Sequence, residues 1–136
     1  MRAVLDTNVF VSGVFFSGPP HEILSLWRDG QIRLVISAEI LDEYRRVGER
    51  LARSHRGVDL GPLLALLAVH AEIVQAPALP ESVCEDPSDD MFLACALASR
   101  SKVVVSGDKH LLRVSGYRGV KVVRPRAFID SAQGRA

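Results

Sequence analysis

Four short apolar runs recur along the chain, at residues 2–5, 33–36, 103–105 and 120–123. They are rich in valine and leucine and have few polar interruptions, which is typical of strands buried on both faces of a parallel sheet. The longer stretches between them repeat apolar residues at helical spacing. Alternating strands and helices predict an α/β sandwich with right-handed crossovers.

The predicted helices have recognisable boundary residues. Pro20 can open the first helix and Gly30 can end it. Ser37 can cap the next helix, and Ser88 can cap a later one. The apolar stretch 60–71 is long enough for a further helix. We expect these helices to cover the sheet.

The length of 136 residues suits one domain. We assign it to residues 1–130 and expect residues 131–136 to form a frayed tail. The segment 75–87, with three prolines, is predicted to be a long loop within that domain. No apolar run reaches the roughly 20 residues of a membrane span, and the N-terminus lacks the pattern of a secretory signal. We therefore expect a cytoplasmic protein.

Charge and cysteine content exclude few functions, but the cysteines disfavour a zinc site. The net charge of +1 carries no information about a polyanionic partner. Cys84 and Cys95 have no cysteine or histidine at metal-ligand spacing. Cys95 lies in an apolar stretch and is predicted to be core. Two cysteines in such a chain also fit a reducing cytoplasm.

Acidic residues stand where predicted elements meet. Asp6 and Asp108 each follow an apolar strand, and ligands bind beyond the carboxyl ends of strands in open parallel sheets. Glu43 lies at the edge of the inner stripe of its helix, and Glu39, one turn earlier, is the alternative. Asp90 starts a helix on its apolar side and therefore needs a partner. Taken singly, each acid could also be a turn, cap or surface residue.

Together these acids predict a particular chemistry. Carboxylates that share a site repel one another unless a cation lies between them. Their hard oxygens suit Mg²⁺ or Mn²⁺. One ion can lower the pKa of a bound water, and two ions about 4 Å apart can clamp both oxygens of a phosphodiester. There is no glycine-rich phosphate loop, and no serine or cysteine has a convincing base beside it. Metal-dependent hydrolysis is the predicted reaction.

Four segments of the chain, in their order and separation, resemble the PIN domain family over about residues 2–130. They are Val-Leu-Asp-Thr-Asn-Val at 4–9, Ser-Ala-Glu-Ile-Leu-Asp-Glu at 37–43, Asp-Pro-Ser-Asp-Asp-Met-Phe-Leu-Ala at 86–94 and Ser-Gly-Asp-Lys-His-Leu at 106–111. The short length and the Asp-Pro-x-Asp-Asp pattern are similar to the bacterial and archaeal VapC-like toxins of toxin–antitoxin pairs.

The resemblance implies a metal-dependent endoribonuclease built as a three-layer α/β/α sandwich with a central parallel sheet. It also implies frequent homodimers and, in toxin–antitoxin members, a small antitoxin protein that covers the cleft. By position, the acidic quartet that is catalytic and binds one or two metal ions would be Asp6, Glu43, Asp90 and Asp108. Asn8 and Ser106 would be supporting polar residues, and Asp89 would substitute for Asp90 or assist it.

An RNA substrate needs cationic contacts, and one helix offers a series of them. The candidates are Arg45, Arg46, Arg50 and Arg53. The alternative is that they form a solvated helix face. Two other functions remain open: a PIN-like RNA- or protein-binding module without activity, and a receiver-type phosphoacceptor domain. The latter is disfavoured because the strand at 33–36 ends in Ser37 and not in an aspartate.

Overall fold

A computed structural model describes residues 1–55 and 57–134 and contains one five-stranded sheet. Every neighbouring pair of strands is parallel, and their order is β3-β2-β1-β4-β5. The strands are β1 (Arg2–Leu5), β2 (Arg33–Ile36), β3 (Glu72–Ile73), β4 (Val103–Val105) and β5 (Lys121–Val123). The four predicted strands are confirmed, and the two-residue edge strand β3 is an addition.

Helices flank the sheet and give the predicted three-layer sandwich. They are α1 (Thr7–Phe15), α2 (Pro19–Arg28), α3 (Ala38–Ala52), α4 (Gly61–His70), α5 (Asp90–Ser99), α6 (Lys109–Leu112) and α7 (Pro125–Ala132). Short 3₁₀ turns occupy Pro87–Asp89 and Tyr117–Gly119. Within the described part of the chain, no helix is both long and apolar enough to cross a bilayer.

The caps of two helices show where the boundary predictions succeed and fail. Ser37 caps α3 as predicted, because its hydroxyl accepts a hydrogen bond from the Ile40 N–H at 3.3 Å. The predicted Ser88 cap is wrong. Asp86 accepts the Ser88 N–H at 3.0 Å and starts a 3₁₀ turn, and α5 begins only at Asp90.

Helix α1 lies where no helix was predicted. Its N-cap is Asp6, whose Oδ1 accepts the Val9 N–H at 2.8 Å. Gly13 lies in α1 where it meets α2, and an added Cβ there would come within 2.7 Å of the Pro20 carbonyl oxygen. A glycine is therefore required for the two helices to approach this closely.

Central strands β1 and β4 carry the core and position the site. Phe10 stacks on Tyr44 with ring centroids 4.2 Å apart, and the Tyr44 hydroxyl donates to the Leu5 carbonyl at 2.5 Å. These contacts fix α3 over the end of β1. The strand order runs outward from β1 in one direction and from β4 in the other, so the crevice between their carboxyl ends is a topological switch point.

The C-terminal helix α7 ends later than the predicted domain boundary. It includes Ser131 and Ala132, and it is anchored by the buried side chains of Phe128 and Ile129. The last two positions of the predicted tail, 135–136, lie outside the described residues. The single-domain assignment remains a prediction.

Candidate active site

Asp6 lies at the switch point and joins the two central strands. Its Oδ2 accepts a hydrogen bond from the hydroxyl of Ser106, which is fully buried at the end of β4. Only 5% of Asp6 is exposed. Burial raises the pKa of Asp6, hydrogen bonds from Ser106 and Val9 lower it, and the nearby carboxylates of Asp108 and Glu43 raise it further. The hydrogen bond from Ser106 to Asp6 is consistent with the supporting role predicted for Ser106.

Glu43 reaches the same crevice from α3. It accepts a hydrogen bond from the Thr7 hydroxyl, and Arg46 approaches its Oε1 at 3.9 Å. The neighbouring Tyr44 holds this part of α3 against Leu5. Glu39, the alternative second acid, lines a different cavity. The structure therefore favours Glu43 at this position.

Asp108 is both a helix cap and a wall of the crevice. Its Oδ1 accepts the His110 N–H at 2.9 Å, which caps α6. Its own N–H donates to the Ser106 hydroxyl at 3.0 Å. Ser106 thereby connects Asp108 to Asp6, and the two strand-end acids are brought together as expected.

Asp90 does not line the crevice with the other acids. Its carboxylate accepts the Cys84 N–H at 2.7 Å and the Val83 N–H at 3.1 Å. The inward-facing acid of α5 thus has a structural partner, and it fastens the loop before the 3₁₀ turn. Asp89, and not Asp90, lines the crevice with the other acids.

Asp89 has the electrostatic surroundings of a site residue. Burial raises its pKa to about 6, and the negative charges of Asp86, Asp108, Asp6 and Glu43 contribute in that order. Asp86 was not among the predicted site residues. It caps the 3₁₀ turn.

The crevice, which we call the acid pocket, has a volume of about 180 Å³. In the part of the chain that the structure describes, no lysine, arginine or histidine lines it. Among the described residues, no three His, Cys, Asp or Glu side chains form a ready cage for a metal ion. The donors are nevertheless hard oxygens, which fits Mg²⁺ or Mn²⁺, and the pKa values of Asp6 and Asp89 are raised. Its walls are Asp6, Thr7, Asn8, Glu43, Val47, Asp86, Ser88, Asp89, Phe92 and Asp108.

A larger cavity of about 660 Å³, which we call the side groove, adjoins the acid pocket and shares Glu43 and Ser88 with it. It lies between α3, α5 and the loop before the 3₁₀ turn. Its lining is Ser37, Glu39, Asp42, Glu43, Arg46, Ala76, Ala78, Leu79, Pro80, Glu81, Ser82, Pro87, Ser88, Asp90, Met91 and Ala94.

The four candidate arginines have different surroundings. Arg45 pairs with Asp42 at 2.6 Å and with Glu49 at 3.7 Å on the same helix. Arg46 alone of the four lines the side groove. Arg50 and Arg53 are exposed further along and line neither cavity. Their contact with RNA stays a prediction.

The two cysteines are core residues and not nucleophiles. Both are buried, and neither is in a disulfide. Burial raises the pKa of each thiol to about 12. Since the thiolate is the reactive form, neither cysteine supplies nucleophilic chemistry near neutral pH.

The profile of the PIN domain family matches residues 2–110, which include all the strand-end acids. The chain belongs to the PIN domain family. PIN domains are generally nucleases that use divalent metal ions. No curated protein matches the chain. Strand β5 and helix α7 lie beyond the matched residues.

Proposed function

We propose that this protein is a metal-dependent endoribonuclease whose reaction takes place in the acid pocket. One observation carries the proposal. Carboxylates from four separate segments, Asp6, Glu43, Asp89 and Asp108, line one cavity at the switch point, and none of the described residues that line it is cationic. Such an arrangement is costly for the protein alone, and a divalent cation relieves the cost.

The four carboxylates would hold Mg²⁺ or Mn²⁺, as one or two ions. The bound ion supplies polarisation of a phosphoryl oxygen and a water of lowered pKa. The chain's own groups keep the carboxylates in place: Ser106 holds Asp6, and Thr7 holds Glu43. Asn8 is exposed at the wall of the pocket, where its amide can contact the substrate.

The direct test is cleavage of end-labelled single-stranded RNA by purified protein with Mn²⁺, Mg²⁺ or EDTA. Cleavage should require metal, and Asp6→Asn should lower the rate by about three orders of magnitude, as losses of charge-stabilising groups do. Asp29→Asn, an exposed aspartate at the end of α2, is the matched control and should cleave normally. Cleavage that persists in EDTA or in Asp6→Asn would refute the proposal. A DNA strand of the same sequence tests the choice of RNA, which rests on the resemblance.

A binding module without activity is the rival function with an observation in its favour. The described carboxylates line one pocket but form no ready metal cage. Binding of RNA with no cleavage across Mg²⁺ and Mn²⁺ titrations would support that rival.

We extend the proposal to the biological role of a toxin, on the VapC-like resemblance. Such a protein would act on RNA in the cytoplasm, and a small antitoxin would cover the cleft. Induced expression should then arrest growth, whereas Asp6→Asn should not. Co-expression of a short adjacent reading frame should restore growth if it encodes the antitoxin.

The homodimer implied by the resemblance has support in helix α4. This helix has no charged residue except His70 at its end, yet Leu67 is its only buried residue. Val69 remains 74% exposed. An apolar helix with so little cover suits a protein interface. Sedimentation should show a dimer that Val69→Glu dissociates.

A further inference from the structure

We propose that the side groove binds the nucleotide next to the scissile phosphate and that Glu39 gives it a preference for guanine. This inference rests on the proposed nuclease function of the acid pocket. It names the substrate class of that same site: a single-stranded RNA with an unstacked base beside the point of cleavage.

The first argument is continuity. Glu43 and Ser88 belong to both cavities, so a strand whose phosphate lies in the acid pocket passes directly into the groove. Among the described residues, Arg46 is the only lysine or arginine that lines either cavity. Its guanidinium lies 3.4 Å from Asp42 and 3.9 Å from Glu43, at the boundary of the two. A phosphate that follows the scissile one would meet this cation.

The second argument is shape. Part of the groove lining is apolar and comprises Ala76, Leu79, Met91 and Ala94. A flat base can lie on such a surface, as bases do on apolar and aromatic platforms in single-strand recognition. The volume of about 660 Å³ is within the range of small-molecule sites, about 300–1,000 Å³. A base inside a duplex could not enter it without being extruded.

The third argument is that the acids of the groove, with one exception, already have partners. Asp42 is paired with Arg45 and Arg46. Glu81 accepts from the Tyr117 hydroxyl, and Asp90 accepts two backbone N–H groups. Glu43 is held by Thr7. In the described part of the chain, Glu39 is the groove acid with no hydrogen bond or ion pair.

Glu39 is therefore available to a ligand, and its chemistry selects the base. A carboxylate offers only acceptors, on two adjacent oxygens. Guanine presents two neighbouring donors, N1–H and N2–H₂, on its Watson–Crick edge. Adenine and cytosine present one amino group there, and uracil presents a single N–H between two carbonyls. Glu39 lies one helical turn, about 5.4 Å, before Glu43, which is a suitable distance for a neighbouring nucleotide.

The test measures binding apart from cleavage. Fluorescence anisotropy of wild-type protein in EDTA would compare oligouridylates that carry one central guanosine, inosine, adenosine or cytidine. Inosine lacks only the N2 amino group. We expect guanosine to bind about tenfold more tightly than inosine or uridine, since a site built for a donor rejects an analogue that lacks it. Equal affinity for guanosine and inosine would overturn the role of Glu39.

Two variants assign the preference to the groove. Glu39→Ala should bring the guanosine-to-inosine ratio to within about twofold, whereas Glu49→Ala, an exposed glutamate on the same helix, should leave it unchanged. A structural effect on α3 would alter all affinities and leave the ratio intact. Ala78→Phe fills the groove from an exposed loop position and should raise KM for RNA about tenfold with kcat little changed. Ala127→Phe on the exposed face of α7 is its control.

The outcomes separate this inference from the proposed function. Guanosine-selective binding without metal-dependent cleavage would support the groove and refute the nuclease. Cleavage with no effect of Ala78→Phe or Glu39→Ala would support the nuclease and refute the groove as a nucleotide site. The Ala78→Phe variant could also lose the binding of a co-expressed polypeptide while its RNA kinetics stay unchanged. That result would show that the groove binds the polypeptide, and it would also refute the inference.

Discussion

The acid pocket and the side groove share Glu43 but treat their acids in opposite ways. In the acid pocket, burial and neighbouring carboxylates raise the pKa values of Asp6 and Asp89. In the groove, a hydrogen bond from Arg45 lowers the pKa of Asp42. The first cavity holds negative charge that the protein leaves uncompensated, and the second compensates most of its charge from within. The pocket is thus prepared for a cation and the groove for a largely neutral base.

The largest effect on kcat should be seen when each of the two adjacent aspartates is replaced in turn. Asp89→Asn should lower kcat by about three orders of magnitude, because it removes a carboxylate from the acid pocket. Asp90→Asn should lower kcat by about tenfold or less, because Asp90 contacts backbone amides instead. Single-turnover cleavage with saturating Mn²⁺ measures both. A larger loss of kcat in Asp90→Asn than in Asp89→Asn would make Asp90 the third acid of the site.

The next effect is on the free energy of unfolding, and here Asp90 should matter more than Asp89. Asp90→Ala leaves the Val83 and Cys84 N–H groups without their charged acceptor, and hydrogen bonds to charged groups contribute about 1.5–3 kcal/mol. We expect the free energy of unfolding to fall by about 3 kcal/mol in urea titrations. Asp42→Ala, which loses only exposed ion pairs, should change it much less. A small loss in Asp90→Ala would show that the loop is held by other contacts.

Metal should stabilise the acid pocket specifically. At a free Mn²⁺ concentration of about 100 times Kd, ligand binding contributes about 2.7 kcal/mol, which raises Tm by several degrees. Calorimetry should show this shift in the wild type and little of it in Asp89→Asn. Glu39→Ala should keep the full shift, because Glu39 lies outside the pocket. Equal shifts in all three proteins would place the ion elsewhere.

The pH dependence of the metal-free protein should separate Asp89 from Asp86. The pKa of Asp89 is raised from 3.8 to about 6, so the folded state binds more protons than the unfolded state between these values. The free energy of unfolding therefore falls as pH rises from about 4 to about 6. Asp89→Asn should flatten this slope and stabilise the metal-free protein at pH 7 by about 1 kcal/mol, after allowance for solvent screening.

Asp86 gives the matched comparison because its shift has the opposite sign. Hydrogen bonds from the Ser88 hydroxyl and N–H lower its pKa. Its stabilising contribution is present above the unfolded pKa and is lost as pH falls through the lower folded value. Asp86→Asn should therefore destabilise the protein near pH 7 and not stabilise it. Urea titrations at several pH values check both signs.

The smallest effect should be at the boundary of the two cavities. Arg46→Ala should raise KM for RNA about threefold, since an exposed cation contributes little to affinity. Arg53→Ala, also on the surface at the end of α3, should leave KM unchanged because it lines neither cavity. Equal effects would favour a diffuse cationic surface over a defined path for the strand.

The parts that could be predicted from sequence are those set by burial on both faces. Strands β1, β2 and β4 are continuous apolar runs because the sheet lies between helices. The edge strand β3 has only two residues, too few for any pattern. Helix α1 is rich in valine and phenylalanine and contains a glycine, so local propensity does not favour a helix there. Packing against α2 and the Asp6 cap override that propensity.

Of the predicted site residues, Asp6, Glu43 and Asp108 line one crevice, and their positions follow from the strand ends and from α3. Asp90 lines the side groove instead, for a geometric reason. Extending the apolar periodicity of α5 backwards correctly put its side chain inward, but the periodicity could not reveal that backbone amides from residues 83–84 receive it. Asp89 is the last residue of the 3₁₀ turn directly before α5, and it lines the acid pocket.

Asp6 uses its two oxygens for different neighbours: one accepts the Val9 N–H that begins α1, and the other accepts the Ser106 hydroxyl. An asparagine would retain an oxygen for the helix while giving up the anion. Asp6→Asn should therefore abolish cleavage while the fold is retained. A chain altered at this one atom is the natural choice for capturing an uncut RNA in a crystal.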